Sequence, residues 1–157
     1  MDSKVVKAAP ARRTGPVAAF RRAAEDTHMS EWASRVLWIG VGGAVGSVLR
    51  YALAGAVQRS VIAFPIGTLV VNVTGCLAIG FLGERFAQSN VDPVFRTAIL
   101  IGVLGGFTTF STFSLDTLKL AESRQYDLAL LNILGSVMSC LVAVWAGQQA
   151  ARWWTTS

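Results

Sequence analysis

Four apolar stretches, approximately Val36–Val57, Phe64–Phe86, Val94–Leu118 and Leu128–Ala150, take up nearly all of the chain that follows its first 35 residues. A helix that crosses a hydrocarbon core ~30 Å thick needs about 20 mostly apolar residues, and each stretch meets that length. The connections between them are short, and no soluble domain is left over. Of 157 residues, 53% are hydrophobic and only 15% charged, with a mean hydropathy of +0.51. A soluble domain of this size could not keep that much apolar side chain off its surface. The reading is an all-α integral membrane protein with four transmembrane helices, in which residues 1–34 form a basic, disordered tail, 35–151 the membrane domain and 152–157 a short C-terminal tail.

The formal net charge of +5 invites a nucleic-acid reading, but its placement argues otherwise. Lys4, Lys7, Arg12, Arg13, Arg21 and Arg22 all precede the first span, and without them the core is close to neutral. Such a tail suits a cytoplasmic extension drawn to anionic headgroups, so membrane lipids and no nucleic acid are the expected partners. Its arginines would also suit a transit peptide, although Glu25, Asp26 and Glu31 count against one. There is no apolar h-region of a secretory signal, and Met29, just ahead of Ser30-Glu31-Trp32, is an alternative start. Cys76 and Cys140 both fall inside apolar segments, where packed thiols are the expectation.

In the first span, small residues at Gly42/Gly46 and Gly43/Ser47 recur every four positions, which lets another helix approach closely. The same glycines do not make a dinucleotide loop, because Val45 stands where a third glycine belongs and no strand precedes. Trp32 and Trp38 suit an interfacial anchor at the near end. Arg50, toward the far end, either snorkels to the interface or is held inside by a partner. The second span opens at Phe64-Pro65, proline being tolerated in a first helical turn. Its Asn72 begins a sequon match, Asn72-Val73-Thr74, that is meaningless at membrane depth. There an Asn is either glue between helices or part of a permeation path.

The third span is interrupted by Gly105-Gly106-Phe107-Thr108-Thr109-Phe110-Ser111-Thr112-Phe113-Ser114. Two glycines followed by hydroxyls and aromatics are not what a lipid-facing helix requires, and irregular backbone at this depth is tolerated only inside protein or beside a wet cavity. The spacing therefore predicts a helix broken in mid-membrane, with half-helix ends that expose carbonyls and amides as ion ligands. Phe110 and Phe113 lie one turn apart on a shared face. In the fourth span Asn132, Ser136 and Ser139 form one polar stripe. So many inward polar positions on four helices point to an oligomer.

Taken together, Val71-Asn72-Val73-Thr74-Gly75, the third-span motif and Gly43-Ala44-Val45-Gly46-Ser47-Val48-Leu49-Arg50-Tyr51 resemble the Fluc (CrcB) family of fluoride channels. The likeness covers about Val36 to Ala150. It implies an inner-membrane protein that exports fluoride down its gradient and relieves fluoride toxicity. It also implies an antiparallel, dual-topology dimer, formed by two copies or with a sister chain. A structural sodium ion at the dimer centre is implied, held by backbone carbonyls that by motif position are those of Gly105 and Thr108. The resemblance makes Phe110 and Phe113 the anion-facing phenylalanines, with Asn72, Thr109 and Ser136 also in the fluoride pore and Arg50 near the aqueous vestibule. The chain departs from the family pattern at Asp116, where glutamate is commoner, and at Asn132, where tyrosine is common.

The chemistry of these residue types agrees. A pore for a small, strongly hydrated anion must replace water with hydrogen-bond donors and still release the ion. An Asn amide and Thr or Ser hydroxyls are such donors, and a phenyl ring offers an electropositive edge that attracts without trapping. The main rival is a small four-helix, proton-coupled exporter of toxic compounds, which needs a titratable carboxylate deep in the membrane. Glu84, Asp92, Asp116, Glu122 and Asp127 all sit near span ends instead. A non-conducting assembly subunit would explain the glycine faces but not the third-span motif. No nucleophile-base pair is present and His28 is alone in the tail, so an enzyme is not expected.

Overall fold

The computed structural model describes residues 16–59 and 64–156, with side chains for residues 29–59 and 64–154. Lys4, Lys7, Arg12 and Arg13 of the basic tail lie outside the described residues, as do the side chains of Arg21, Arg22 and His28. Helix α1 (Pro16–Gln58) extends back through residues that composition assigns to the tail. The chain divides into two compact units between Ala33 and Ser34, and the second of them, Ser34–Ser157, holds the membrane domain.

Four helical spans are long and apolar enough to cross a membrane: Met29–Gln58, Ile66–Ala87, Pro93–Glu122 and Tyr126–Trp154. They match the four stretches expected from sequence to within a turn or two, and among the described residues there is no strand. The second is α2 (Ile66–Ala87), which begins one residue after Pro65. Its first turn lacks a side-chain cap of its own. Gln58 at the end of α1 supplies one, accepting from the Gly67 amide at 3.1 Å while its own amide donates to the Phe64 carbonyl at 3.1 Å. The fourth is α6 (Tyr126–Thr156), which continues as helix through residues expected to be a tail.

The third span is composite. It opens with α3 (Pro93–Thr97), capped by the Asp92 carboxylate, which accepts from the amides of Val94 and Phe95 at 2.8 and 3.0 Å. A π-helical segment follows over Ala98–Val103, then α4 (Leu104–Phe107), two extended residues, and α5 (Phe110–Glu122). Helix α5 ends in a Schellman turn, with Gln125 N–H donating to the Leu120 carbonyl and Arg124 N–H to that of Ala121. Arg124 takes the left-handed position there, at φ 60°.

Glycine decides how the spans meet. A Cβ on Gly42 would lie 2.6 Å from the Ala98 carbonyl oxygen, one on Gly46 2.0 Å from that of Val103, and one on Gly106 2.5 Å from that of Gly43. The small-residue stripe of α1 is thus filled by the third span of the same chain, backbone against backbone, at the π segment and α4. Helices α2 and α6 run parallel and equally close, since a Cβ on Gly80 would lie 2.2 Å from the Val144 carbonyl oxygen and one on Gly147 2.3 Å from that of Leu77. One turn further on, Arg152 Nε donates to Glu84 Oε1 at 2.9 Å and closes this pair at the membrane edge. Trp38, Trp153 and Trp154 are exposed on that side, as an interfacial belt requires.

Candidate functional site

The break itself consists of Thr108 (φ −82°, ψ 157°) and Thr109 (φ −150°, ψ 117°), two extended residues set between helices. Its cause is Asn72. In a continuous helix the Thr109 amide would close a turn onto the Gly105 carbonyl; here it donates instead to Asn72 Oδ1 at 2.8 Å, while Asn72 Nδ2 donates to the Thr109 carbonyl at 3.0 Å. One side chain gives the diverted Thr109 amide an acceptor and donates a further hydrogen bond to the same residue's carbonyl, which meets the backbone requirement at this depth. Gly75, one turn along α2, makes the room: a Cβ there would lie 2.2 Å from Thr108 Cγ2.

Thr109, 8% exposed, is the N-cap of α5. Its oxygen accepts from the Thr112 amide at 3.2 Å, and its hydroxyl donates to Thr112 Oγ1 at 3.0 Å. With Thr109 and Thr112 engaged, the first-turn amides of Phe110 and Ser111 are left as open donors at the positive end of α5. Behind them, the carbonyls of Gly105 to Thr108 have lost the helical amides that would have bonded them. Donors that favour an anion and acceptors that favour a cation therefore lie within one turn of each other.

A cavity of 340 Å³ opens beside the break, and Asn72, Gly105, Thr108, Thr109, Phe110, Phe113 and Ser136 all line it. Seven of the eight residues singled out by sequence are thus brought together from three spans. The rings of Phe110 and Phe113 stand 5.4 Å apart, tilted by 44°. Phe110 is 79% exposed on the single chain. Arg50, the eighth, lines a separate 350 Å³ cavity with Ser47, Thr68 and Thr112. Thr109 forms a wall of both. Beyond, Thr68 and Thr112 also border a 700 Å³ opening that contains Asp116 and Lys119. Polar residues thus continue from the break to the end of the bundle.

Hydrogen bonds qualify the roles of two hydroxyls. Thr117 donates to the Phe113 carbonyl at 2.7 Å and so receives Asn132 Nδ2 at 2.8 Å. That orients Asn132 Oδ1 toward Ser136, whose hydroxyl donates to it at 3.4 Å. The hydroxyl hydrogens of Thr109 and Ser136 are therefore directed to protein partners, and Asn72, with one N–H left over, is the side-chain donor that remains at the cavity. Ser139 departs from the stripe expected on α6, since its hydroxyl bonds back to the Gly135 and Ser136 carbonyls of its own helix.

One expectation is corrected here. Among the described residues no buried side-chain nitrogen or oxygen lacks a partner, so unsatisfied polar side chains within the bundle do not argue for an oligomer. Asn132, 2% exposed, is satisfied inside the chain, as is Asp116, whose Oδ2 accepts from Thr68 at 2.8 Å. Sequence reasoning leaves out Gln58, Thr68 and Thr117. Each is an ordinary polar residue in its own segment, and only its partner in another helix gives it meaning.

The arrangement defines a four-span helical membrane protein with a break in its third span. The family model described as CrcB-like protein, Camphor Resistance (CrcB), matches residues 37–148. A Geobacter sulfurreducens protein named fluoride-specific ion channel FluC is 50% identical over 119 residues, covering 74% of this chain and 96% of its own. Proteins of the same name from Magnetococcus marinus and Opitutus terrae are 45% and 49% identical, over 75% of this chain and 98% and 92% of theirs. The chain belongs to the CrcB family.

Proposed function

We propose that this chain is a fluoride channel, that the cavity beside the break carries the anion, and that two oppositely inserted chains share a sodium ion held by the Gly105 and Thr108 carbonyls. It is not an enzyme. The observation that carries the reading is the pairing of Asn72 with Thr109: it diverts the amide that would cover Gly105 and opens the α5 N-terminus, beside two phenylalanines. The anion enters past Phe110 and Phe113, whose ring edges attract it weakly, and meets the spare N–H of Asn72 and the first-turn amides of α5. None of these donors carries a full charge, so the ion is solvated without being trapped. Arg50 adds positive potential on the far side of Thr109 and draws anions toward the break.

The cation fit follows from the donor set. Backbone carbonyls are hard, neutral oxygen ligands suited to an alkali cation, and one chain supplies too few to surround it. Gly105 is exposed and a Cβ there would meet nothing within 4 Å, which leaves room for a second chain on this face of the break. Bound there, the ion would hold two breaks together and lend positive potential to the anion path. Working in the bacterial inner membrane, such a dimer lets fluoride leave the cytoplasm down its gradient and so relieves fluoride toxicity.

Among the described residues, proton-coupled export finds no carboxylate free in the middle of a span. Glu84 is paired with Arg152, Asp92 caps α3, and Asp116 accepts from Thr68 near the bundle end. The test is ion efflux from liposomes that contain only this purified chain. Rapid fluoride release with chloride retained, independent of a pH gradient, is expected. Equal release of both ions, or fluoride transport that requires a proton gradient, overturns the reading.

A further inference from the structure

The parallel register of α2 and α6 brings together two groups that anion conduction does not use. Successive turns pair Asn72 with Ser136 along the 340 Å³ cavity, then Cys76 with Cys140 along the same cavity, then Gly80 with Val144 in backbone contact. The close approach at Gly80 and Gly147 fixes the separation of the helices one turn away. There the two free thiols, each half-buried, line the same cavity from facing helices. Around them the cavity wall is apolar, with Ile79, Leu100 and Val137.

We propose that Cys76 and Cys140 form a two-thiol site for a soft, linearly coordinating divalent cation, and that an ion bound there blocks the anion path. The block rests on the anion path proposed for this cavity; the site does not. Thiolate sulfur selects soft metals over hard ones. Two ligands at opposite sides of one ion suit linear coordination. Among the described residues no cluster of three or more His, Cys, Asp or Glu exists to serve a metal that wants more. Charge selects the divalent class. When Hg2+ binds, both thiols lose a proton and two Hg–S bonds form, so the product is neutral and two protons leave. A monovalent ion on the same two thiolates would leave a net negative charge at membrane depth, where burial is costly. The bound ion would stand one turn from Asn72, in the wall that the anion must pass.

The probe is Hg2+ added to the purified full-length chain in detergent, followed by thiolate-to-metal charge-transfer absorbance and by proton release, and then to the chain in fluoride-loaded liposomes. Expected are one ion and two protons per chain, with fluoride efflux falling by tenfold or more (~1.4 kcal/mol) and recovering on addition of a dithiol chelator. Cys76→Ala, Cys76→Ser, Cys140→Ala and Cys140→Ser should each abolish two-proton binding and keep fluoride efflux, the two replacements guarding against a fold failure in either. Release of one proton per ion, or binding that survives loss of either cysteine, overturns the two-thiol site. Two-proton binding that leaves efflux unchanged overturns the block and moves the anion path away from this wall, while the site itself stands.

Discussion

At the scale of single residues, Asn72 carries the most. Its sequence context leaves open whether this side chain is glue or path; its two bonds to Thr109 make it glue, and its spare N–H leaves it free to be path as well. Asn72→Asp puts a carboxylate oxygen against the Thr109 carbonyl where an N–H now donates, and sets negative charge beside the anion cavity. We expect loss of fluoride flux together with a fall in thermal stability of ~1–3 kcal/mol, the cost of an unpaired polar group. Loss of flux with unchanged melting would remove Asn72 from the break and leave it in the path alone. For the phenylalanines the outcome should differ. Phe110→Ile and Phe113→Ile remove the electropositive ring edge while filling space, so flux should fall about tenfold, equivalent to ~1.4 kcal/mol, with the fold retained. Wild-type flux in both would take the rings out of the mechanism.

Among elements, the contact of α1 with the π segment matters most, because it seats the break. The two backbones meet with no side chain between them at Gly42 and Gly46. Gly46→Ala, with its Cβ 2.0 Å from the Val103 carbonyl oxygen, must push the third span away, a change expected to cost ~1–3 kcal/mol or more. Gly40→Ala is the control: nothing lies within 4 Å of a Cβ there, and the replacement improves helix propensity by up to ~1 kcal/mol. Thermal unfolding of the two variants in one detergent should therefore move in opposite directions. A destabilised Gly40→Ala with an intact Gly46→Ala would mean that α1 meets the third span by another face.

For the whole molecule, the question is the partner. Phe110 and Gly105 are both exposed on the single chain while lining the cavity, so the site has an open side. A Cβ at Gly105 meets nothing within 4 Å, so Gly105→Val should leave the monomer folded, yet lower the dimer fraction measured by crosslinking in liposomes; an unchanged dimer and unchanged sodium dependence would place the cation elsewhere. Orientation follows the basic residues near span ends. Arg35, Arg85, Arg96 and Arg152 fall on one side, and Arg50, Arg59, Lys119 and Arg124 on the other. With no bias from the core, and with only Arg21 and Arg22 of the tail close enough to weigh, insertion in both directions is expected. A Ser89→Cys label, in a background with Cys76 and Cys140 replaced by alanine, should then be reached from both sides of the membrane in separate molecules. Labelling from one side alone would require an oppositely inserted sister chain.

What the sequence determines by itself is what local composition can express. The four spans follow from apolar runs of membrane-crossing length, the break from a double glycine followed by hydroxyls and aromatics inside one of them, and the close-packing face from small residues spaced by one turn. Each of these signals lies within a single segment. The tertiary structure alone decides which glycine faces which backbone, that Asn72 and not a loop diverts the Thr109 amide, and that Thr109 and Ser136 spend their hydroxyl hydrogens inside the protein. It also places Arg50 in a different cavity from the other site residues and sets Cys76 opposite Cys140. These depend on the register between helices far apart in the chain, which close backbone contacts at a few glycines fix and no one segment encodes.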